Sequence, residues 1–254
     1  MSFLDGPTPL AFAHRGGALL EANDGIENTI LAFQNAVDLG YRYLETDVHT
    51  SLDGVVYAFH DIGLTRMTGT VSAFRDLDST AIDAIMVGGR EPIPRLTELL
   101  EAFPDARFNI DVKADDAVEP TLAVLRDADA LDRVCLSSFS TERILRLRGG
   151  APAAASCFSR GEIALLRLAP IRRLQAHGRR RGGGCVQVPI RHGAITVVTP
   201  GFVARAHAIG VPVHVWTIND PDEMRYLLDI GVDGLMSDRV DVLRDVLRER
   251  GEWR

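Results

Sequence analysis

The chain has 254 residues, of which 46% are hydrophobic and 25% are charged, and its formal net charge is −7. This composition is typical of a globular protein with a large core, and the excess of acidic residues argues against a general nucleic-acid binder. No apolar run is long enough to span a membrane and the N-terminal residues show no signal segment, so we expect a cytoplasmic protein.

Taken in chain order, short apolar or β-branched runs alternate with patterns typical of amphipathic helices. The runs that favour strands are PLAFAH (9–14), YLETDVH (43–49), VVYAFH (55–60), RFNIDVK (107–113), RVCLSSF (133–139), AAASCF (153–158), CVQVPI (185–190), VHVWTI (213–218) and GLMS (234–237). The helical patterns lie at residues 27–40, 96–103, 117–130, 141–150, 161–178, 199–210, 220–231 and 238–251. This alternation indicates a parallel sheet built from βαβ units.

These strand candidates are one more than a closed eight-stranded barrel needs. Only the turn SLDG separates YLETDVH from VVYAFH, and its Asp53-Gly54 pair is typical of a tight hairpin. Parallel neighbours need a crossover of about a dozen residues or more, so residues 55–60 should run antiparallel, outside the barrel. The sequence therefore predicts an α/β fold, a single (β/α)₈ TIM barrel over residues 1–254, with a small insertion at about 50–94 after the second barrel strand.

Charged side chains end the first two barrel strands, and the chemistry of TIM barrels lies at the carboxyl ends of their strands. His14 and Arg15 end the first strand. In the second strand, Glu45, Asp47 and His49 lie on one face because side chains alternate along a strand. Glu45 and Asp47 are separated by about 6.5 Å of rise, so both carboxylates could bind one ion.

The third strand adds Asn109, Asp111 and Lys113 to the same barrel face. Three carboxylates in a low-dielectric barrel mouth must be paired or must bind a metal. Because these donors are all oxygen, Mg²⁺ or Ca²⁺ is favoured over zinc, with Mn²⁺ as a third candidate. A strand-end histidine, a Glu-x-Asp pair or an Asp–Lys pair is, taken singly, more often structural or solvated. Their joint position at the ends of apolar runs favours a site.

A set of short motifs runs in order over almost the whole chain. They are His14-Arg15-Gly16-Gly17, Glu27-Asn28-Thr29, Glu45-Thr46-Asp47-Val48, Asp53-Gly54, His60-Asp61, NIDVK (109–113), SSFS (137–140), VWTIN (215–219) and GVDGLMSD (231–238). Any one fragment is weak, but the ordered set is specific and resembles the glycerophosphodiester phosphodiesterase family in its bacterial, cytosolic form. The resemblance implies a TIM-barrel hydrolase of lipid and glycerol metabolism with an insertion after the second strand.

The resemblance implies catalytic and metal-binding roles. His14 would act as the general base and His60 as the general acid. Glu45, Asp47 and Asp111 would hold one divalent cation, Mg²⁺ or Ca²⁺, with Mn²⁺ as the third candidate. The family commonly has Glu at the third of these positions, whereas Asp111 is one methylene shorter. The cation would then lie closer to this strand or be reached through a water molecule.

The resemblance also implies residues that bind the substrate. Arg15 and Lys113 would contact the phosphate. Trp216, at the end of the seventh strand, would line the pocket of the glycerol or the leaving alcohol, the alternative being a core aromatic that caps the barrel. Four further side chains are candidates for the mouth or the outer shell of the metal: Glu27, Asn28, Gln187 and His192. Asn28 lies where the first helix begins, so helix capping is its alternative role.

The expected activity is hydrolysis of small-molecule glycerophosphodiesters to sn-glycerol 3-phosphate and an alcohol. The first nucleophile is either the adjacent glycerol hydroxyl, through a cyclic phosphate, or water. One alternative is lysophospholipase D-type hydrolysis of a lysolipid. Extended apolar loops at the strand ends would favour this alternative, but the insertion is short and mixed in composition, which favours small water-soluble substrates. The other alternative is a non-catalytic barrel that only binds a phosphorylated ligand. Such a protein would be expected to have lost His14 or His60, and both are present. The sequence determines neither which alcohol the preferred substrate carries nor the oligomeric state.

Overall fold

The computed structural model describes residues 3–254. Its strands are β1 (Leu10–His14), β2 (Tyr43–Thr50), β3 (Val56–Ala58), β4 (Met86–Val87), β5 (Glu91–Pro92), β6 (Arg107–Val112), β7 (Val134–Ser137), β8 (Ala155–Ser156), β9 (Val186–Pro189), β10 (Arg191–His192), β11 (Ile195–Thr196), β12 (Val213–Trp216) and β13 (Gly234–Ser237). That residues 1–254 form one domain stays a prediction, because residues 1 and 2 lie outside the described residues.

Eight of these strands form a barrel. They run parallel in the order β8-β7-β6-β2-β1-β13-β12-β9. The two ends of this order meet through a parallel bridge between Cys157, which follows β8, and Cys185, which precedes β9. Phe158 N donates to Cys185 O at 2.9 Å, and Gly184 N donates to Ser156 O at 2.8 Å. The predicted (β/α)₈ barrel is therefore confirmed.

The helices surround the barrel or belong to the insertion that follows β2. They are α1 (Ile30–Asp38), α2 (Thr65–Thr68), α3 (Ser79–Asp83), α4 (Leu96–Ala102), α5 (Val118–Asp127), α6 (Thr141–Gly150), α7 (Arg160–Leu168), α8 (Arg172–Gln175), α9 (His177–Arg180), α10 (Pro200–Ala208), α11 (Pro221–Asp229) and α12 (Val240–Glu249). The single helical pattern predicted at 161–178 is wrong. α7 ends at Leu168 because Pro170 lacks a backbone N–H and disfavours helix before it, and the short helices α8 and α9 follow.

The chain leaves the barrel after β2, as the hairpin turn predicts. β3 pairs antiparallel with β2, and Val48 lies opposite Ala58. The segment up to α4 has a small core of its own, made of Tyr57, Phe59, Leu64, Phe74, Ile82, Val87 and Ile93. The predicted antiparallel course of residues 55–60 is confirmed, and the hairpin returns the chain to the barrel mouth at His60.

Aromatic side chains fill the amino-terminal half of the barrel. Phe3 stacks on Phe12, and the ring of Tyr43 packs edge-on against both. This packing leaves the polar residues at the carboxyl ends of the strands to surround the mouth. In the described part of the chain, no helix combines the length and apolarity needed to cross a membrane.

Candidate active site

A cavity of ≈ 540 Å³ opens among the carboxyl ends of the barrel strands. Ten of the predicted site residues line it: His14, Arg15, Glu45, Asp47, His60, Asp111, Lys113, Gln187, His192 and Trp216. The other two, Glu27 and Asn28, contact the side chains of Arg15 and Asp47. The fold thus brings together residues that are up to about two hundred positions apart in the chain.

The chain reverses sharply where β1 ends. Arg15, Gly16 and Gly17 have positive φ angles of 52°, 83° and 88°. A Cβ atom on Gly16 would lie 2.9 Å from Ala32 Cβ, so the turn requires glycine at this position. The backbone N–H of Arg15 donates to Glu45 O at 3.0 Å, which holds the arginine beside β2.

Lys113 joins two of the three buried carboxylates. Its Nζ lies 2.6 Å from Asp47 Oδ1 and 2.6 Å from Asp111 Oδ2. The guanidinium of Arg15 lies on the other side of Asp47, with 3.3 Å between Nε and Oδ2. The backbone N–H of Arg15 also donates to Glu45 Oε2 at 3.3 Å. The two cationic side chains therefore contact Asp47 and Asp111, whereas Glu45 is contacted by a backbone N–H.

The three carboxylates differ in how readily they ionise. Burial, followed by repulsion from Asp47, raises the pKa of Glu45 to about 7. Burial also raises the pKa of Asp111, although Lys113 opposes it. For Asp47, burial is outweighed by Lys113 and Arg15, which hold its pKa below its ordinary value. Of these three acids, only Asp47 has the effect of its burial outweighed by the neighbouring positive charges.

The carboxylate oxygens of the cavity fit a hard divalent cation in their chemistry but not in their present arrangement. Among residues 3–254, no three His, Cys, Asp or Glu side chains are arranged closely enough to hold a metal as they stand. However, Asp111 Oδ1 is buried and has no hydrogen-bond partner in the part of the chain that the structure describes, and the carboxylates of Glu45, Asp47 and Asp111 are the donors that hard cations prefer. The residues present therefore fit a hard divalent cation once the Lys113 ammonium moves away from the two aspartates.

His14 and His60 are each held by an aspartate through Nδ1. The distance from Nδ1 to the carboxylate is 2.6 Å both for His14 with Asp238 and for His60 with Asp61. A carboxylate can only accept, so Nδ1 carries the proton and Nε2 is left for the cavity. Burial alone would lower the pKa of His14, but the charges of Glu45 and Asp238 together raise it.

Glu27 and Asn28 form an outer layer behind the cavity. Glu27 accepts from Arg15 Nη1 at 3.2 Å and from Arg66 Nη2 at 2.6 Å. Asn28 Nδ2 donates to Asp47 Oδ2 at 3.5 Å. The side-chain cap of α1 comes from the next residue along the chain. Both residues therefore orient charged groups of the cavity, and Asn28 does not cap the helix.

A second side of the cavity is apolar. It is lined by Phe139, Phe158, Ile163, Leu168, Val188, Ile195, Val197 and Trp216. Trp216 packs edge-to-face on Phe139, with ring centroids 5.5 Å apart. Gln187 donates to Asn109 Oδ1 at 2.6 Å, and His192 is exposed at the rim. Much of this apolar wall comes from α7 and the β10–β11 hairpin and none of it from the insertion.

His49 departs from the face that alternation gives it. Within the described chain it is not among the residues that line the cavity. Its Nε2 lies 3.2 Å from the backbone oxygen of His60, and its ring stacks on Phe74. β2 here extends beyond the barrel rim to pair with β3, so His49 packs against the insertion.

Sequence reasoning missed the partners of His14. Asp238 follows the last barrel strand, and Asn219 Nδ2 donates to its second oxygen at 3.0 Å. Asn219 lies in the motif VWTIN and Asp238 lies in the motif GVDGLMSD, and the sequence patterns assign no role to either residue. The available signal was the one that identified the other acids, a polar side chain directly after a barrel strand.

Comparison with known proteins agrees with the geometry. Residues 14–242 match the model of the glycerophosphoryl diester phosphodiesterase family. The chain is 42% identical over 259 residues to Probable glycerophosphodiester phosphodiesterase 2 of Mycobacterium tuberculosis, with 98% of each chain covered. It is 27% identical to Lysophospholipase D GDPD1 of Homo sapiens, over 92% of this chain and 85% of that protein.

Solved structures share the fold. A glycerophosphodiester phosphodiesterase of Agrobacterium tumefaciens superposes with a TM-score of 0.77 at 24% identity, over 94% of this chain and 99% of that one. An Oleispira antarctica phosphodiesterase in complex with the product sn-glycerol-3-phosphate gives 0.80 at 21% identity, over 95% and 97%. At these identities the likeness shows the barrel fold.

Proposed function

Since the chain belongs to the glycerophosphoryl diester phosphodiesterase family and is an enzyme of that class, we propose that it hydrolyses glycerophosphodiesters to sn-glycerol 3-phosphate and an alcohol. One observation carries the proposal. Two histidines, each oriented by an aspartate at 2.6 Å, line the same cavity as three buried carboxylates. The product bound by the Oleispira antarctica phosphodiesterase supports the choice of product.

Arg15 and Lys113 are suited to stabilise a phosphodiester as it reacts. The transition state places extra negative charge on the non-bridging oxygens, where fixed positive charge lowers the barrier. Arg15 Nε lies 3.3 Å from Asp47 Oδ2 but forms no hydrogen bond within residues 3–254, so its N–H remains available to a phosphate oxygen. When bound by Glu45, Asp47 and Asp111, a divalent cation would supply Lewis-acid stabilisation of the same oxygens. Lys113, released from the aspartates, would then contact the phosphate.

The two histidines supply the proton transfers. His14, with its Nδ1 proton held by Asp238, accepts the proton of the attacking hydroxyl at Nε2. His60, oriented by Asp61, protonates the leaving alkoxide. Each transfer is typically worth about 10²–10⁴-fold in rate. The nucleophile is either the adjacent glycerol hydroxyl or water, and both require the same base.

The apolar wall favours a second candidate, lysophospholipase D-type hydrolysis. Phe139 and Trp216, together with α7 and the β10–β11 hairpin, give the cavity an apolar side that a small glycerophosphodiester does not need. An acyl chain would bury this surface. The 27% identity to a lysophospholipase D supports this second substrate class.

One screen tests both candidates. Chelator-treated protein is incubated with glycerophosphocholine or with lysophosphatidylcholine, and then Mg²⁺, Ca²⁺ or Mn²⁺ is added back. Release of sn-glycerol 3-phosphate supports the first function, and release of a lysophosphatidate supports the second. The double variant His14→Ala/His60→Ala controls for contaminating hydrolases. No product from either substrate with any cation would contradict both and favour a binding protein.

We further propose a cytoplasmic location. Cys135, Cys157 and Cys185 are buried free thiols. The sulfur atoms of Cys135 and Cys185 lie 3.6 Å apart without forming a disulfide. Buried cysteines with no disulfide among the described residues are the usage typical of proteins in a reducing compartment.

A further inference from the structure

One stretch of this acidic protein carries only positive charge. The net charge of the chain is −7, yet no Asp or Glu lies between Glu162 and Asp220. The arginines of this stretch are Arg167, Arg172, Arg173, Arg179, Arg180, Arg181, Arg191 and Arg205. Within residues 3–254, none of them forms an ion pair with a carboxylate. Their charge is therefore uncompensated at the protein surface.

Part of this stretch borders the cavity mouth. α7 turns one face to the cavity, because Arg160, Ile163, Ala164, Arg167 and Leu168 all line it at helical spacing. The chain then continues at the surface through residues 171–174. His192 and Ile195 of the β10–β11 hairpin line the same cavity. Residues 167–174 and 191–195 thus form one face beside the cavity mouth, the docking face.

The docking face exposes large apolar side chains among its arginines. Leu168 is 74% exposed, and Ile171 and Ile195 are each 55% exposed. Leu174 is exposed as well. Scattered exposed apolar residues are ordinary on a protein surface. Here they are grouped, they lie beside unpaired arginines, and two of them continue into the apolar wall of the cavity.

This combination of charge and apolar surface selects among partners. A second copy of the chain would bring two arginine-rich faces against each other, which like-charge repulsion opposes. Nucleic acid would neutralise the arginines but would leave the leucine and isoleucine side chains without a partner. An anionic bilayer satisfies both, because its headgroups attract arginine and its interface accepts apolar side chains.

We propose that the docking face binds the surface of a bilayer containing anionic phospholipid, with the cavity mouth turned toward the lipid. Arg172 and Arg173 contact the headgroups. Ile171 and Leu174 enter the boundary between headgroups and acyl chains. The binding requires no turnover and is therefore independent of the proposed function.

Vesicle sedimentation tests the proposal with matched variants. The full chain is mixed with vesicles of phosphatidylcholine alone or of equal parts phosphatidylcholine and phosphatidylglycerol. An arginine near an anionic surface contributes about fivefold in affinity, so Arg172→Gln/Arg173→Gln should bind the anionic vesicles about 25-fold more weakly. Arg42→Gln/Arg248→Gln is the control. Both arginines are exposed and without a carboxylate partner in the described chain, and Arg42 directly precedes β2, at the other end of the barrel.

A second variant separates the apolar contribution. Ile171→Ser/Leu174→Ser keeps every arginine, so it should weaken the part of the binding that persists when salt screens the charges. Equal loss in the Arg42/Arg248 control, unchanged binding in both docking-face variants, or equal binding to uncharged vesicles would overturn the proposal. So would stronger binding to duplex DNA than to the vesicles, or a dimer that the arginine variants dissociate. Circular dichroism confirms that each variant is folded.

Discussion

His14 Nδ1 and Asp238 Oδ1 lie 2.6 Å apart, although 224 positions separate the two residues in the chain. Their contact joins the ends of β1 and β13, which pair directly in the barrel. Asn219 donates to the second carboxylate oxygen at 3.0 Å, so the acid is itself held in place. Asp238 is therefore a positioning residue that fixes the ring orientation and tautomer of His14.

Removing the charge of Asp238 should reduce catalysis without unfolding the protein. In Asp238→Asn the amide can donate as well as accept, so it no longer selects the tautomer with the proton on Nδ1. We expect kcat to fall by roughly 10²-fold or more, with little change in KM. Asp241→Asn, which alters an aspartate paired with Arg239 away from the cavity, should retain activity. Near-normal kcat for Asp238→Asn would contradict the positioning role.

The two histidines should respond differently to the leaving group. Replacing either His14 or His60 with Ala should lower kcat on a glycerophosphodiester by at least about 10²-fold. An activated aryl leaving group hardly needs a proton donor, so His60→Ala should be partly rescued on an aryl phosphodiester and His14→Ala should not. Steady-state kinetics on both substrates give the answer. Equal losses on the two substrates would show that the acid and base roles are assigned wrongly.

Cation binding should depend on Asp111. After chelation we expect no turnover, with recovery on adding Mg²⁺, Ca²⁺ or Mn²⁺. Asp111→Asn keeps the shape of the side chain but removes its charge, so it should weaken cation affinity at least roughly tenfold, the lower end of what losing even an outer-shell partner costs. Calorimetric titration of the cation measures this without relying on activity. Exposed Asp127 supplies the control Asp127→Asn, and unchanged cation affinity in Asp111→Asn would exclude Asp111 as a ligand.

The buried ion pair between α6 and α7 should make stability depend on pH. Arg148 donates to both oxygens of Glu162, at 3.0 and 3.1 Å, and their side chains are only 8% and 6% exposed. Burial alone would raise the pKa of Glu162, but hydrogen bonds from Arg148 and from the Ser159 N–H hold it below its ordinary value of 4.5. The stabilisation is therefore present above the unfolded-state pKa and is lost as the pH falls through the lower, folded-state pKa.

Glu162→Gln tests this ion pair. Because it leaves a buried guanidinium unpaired, we expect it to lower the free energy of unfolding near neutral pH by about 3 kcal/mol. The loss relative to the unmodified chain should shrink in acid, where Glu162 itself becomes protonated. Urea unfolding at both pH values measures the difference. Glu142→Gln, in the exposed first turn of α6, should change little, and an equal loss in both variants would contradict the assignment.

Local regularity decides how much the sequence could predict. Asn109, Asp111 and Lys113 all line the cavity because β6 is a regular strand in which alternation holds. His49 departs from the pattern because β2 changes partners beyond the barrel rim. The contact of His14 with Asp238 arises only when the barrel closes, so no local pattern contains it.

The apolar wall was also beyond sequence reasoning. It is assembled from α7, the β10–β11 hairpin and the ends of several strands, which are far apart in sequence. From the sequence alone, the lysolipid alternative is judged on the composition of the insertion. The insertion instead packs mainly on its own small core. Elements could be predicted from periodicity, whereas surfaces made by several elements required the folded chain.

The barrel closes at its least extensive pairing. β8 has two residues, and a single bridge between Cys157 and Cys185 joins it to β9, whereas β2 and β6 pair over residues 43–48 and 107–112. Local opening should therefore begin here, and the amide protons of Phe158 and Gly184 should exchange with solvent before those in the centre of β2. α7 follows directly after this closure. Local opening at this closure would then move the apolar wall and leave the three carboxylates in place. The mouth of the cavity could widen for its ligand while the distances between the reacting groups are unchanged.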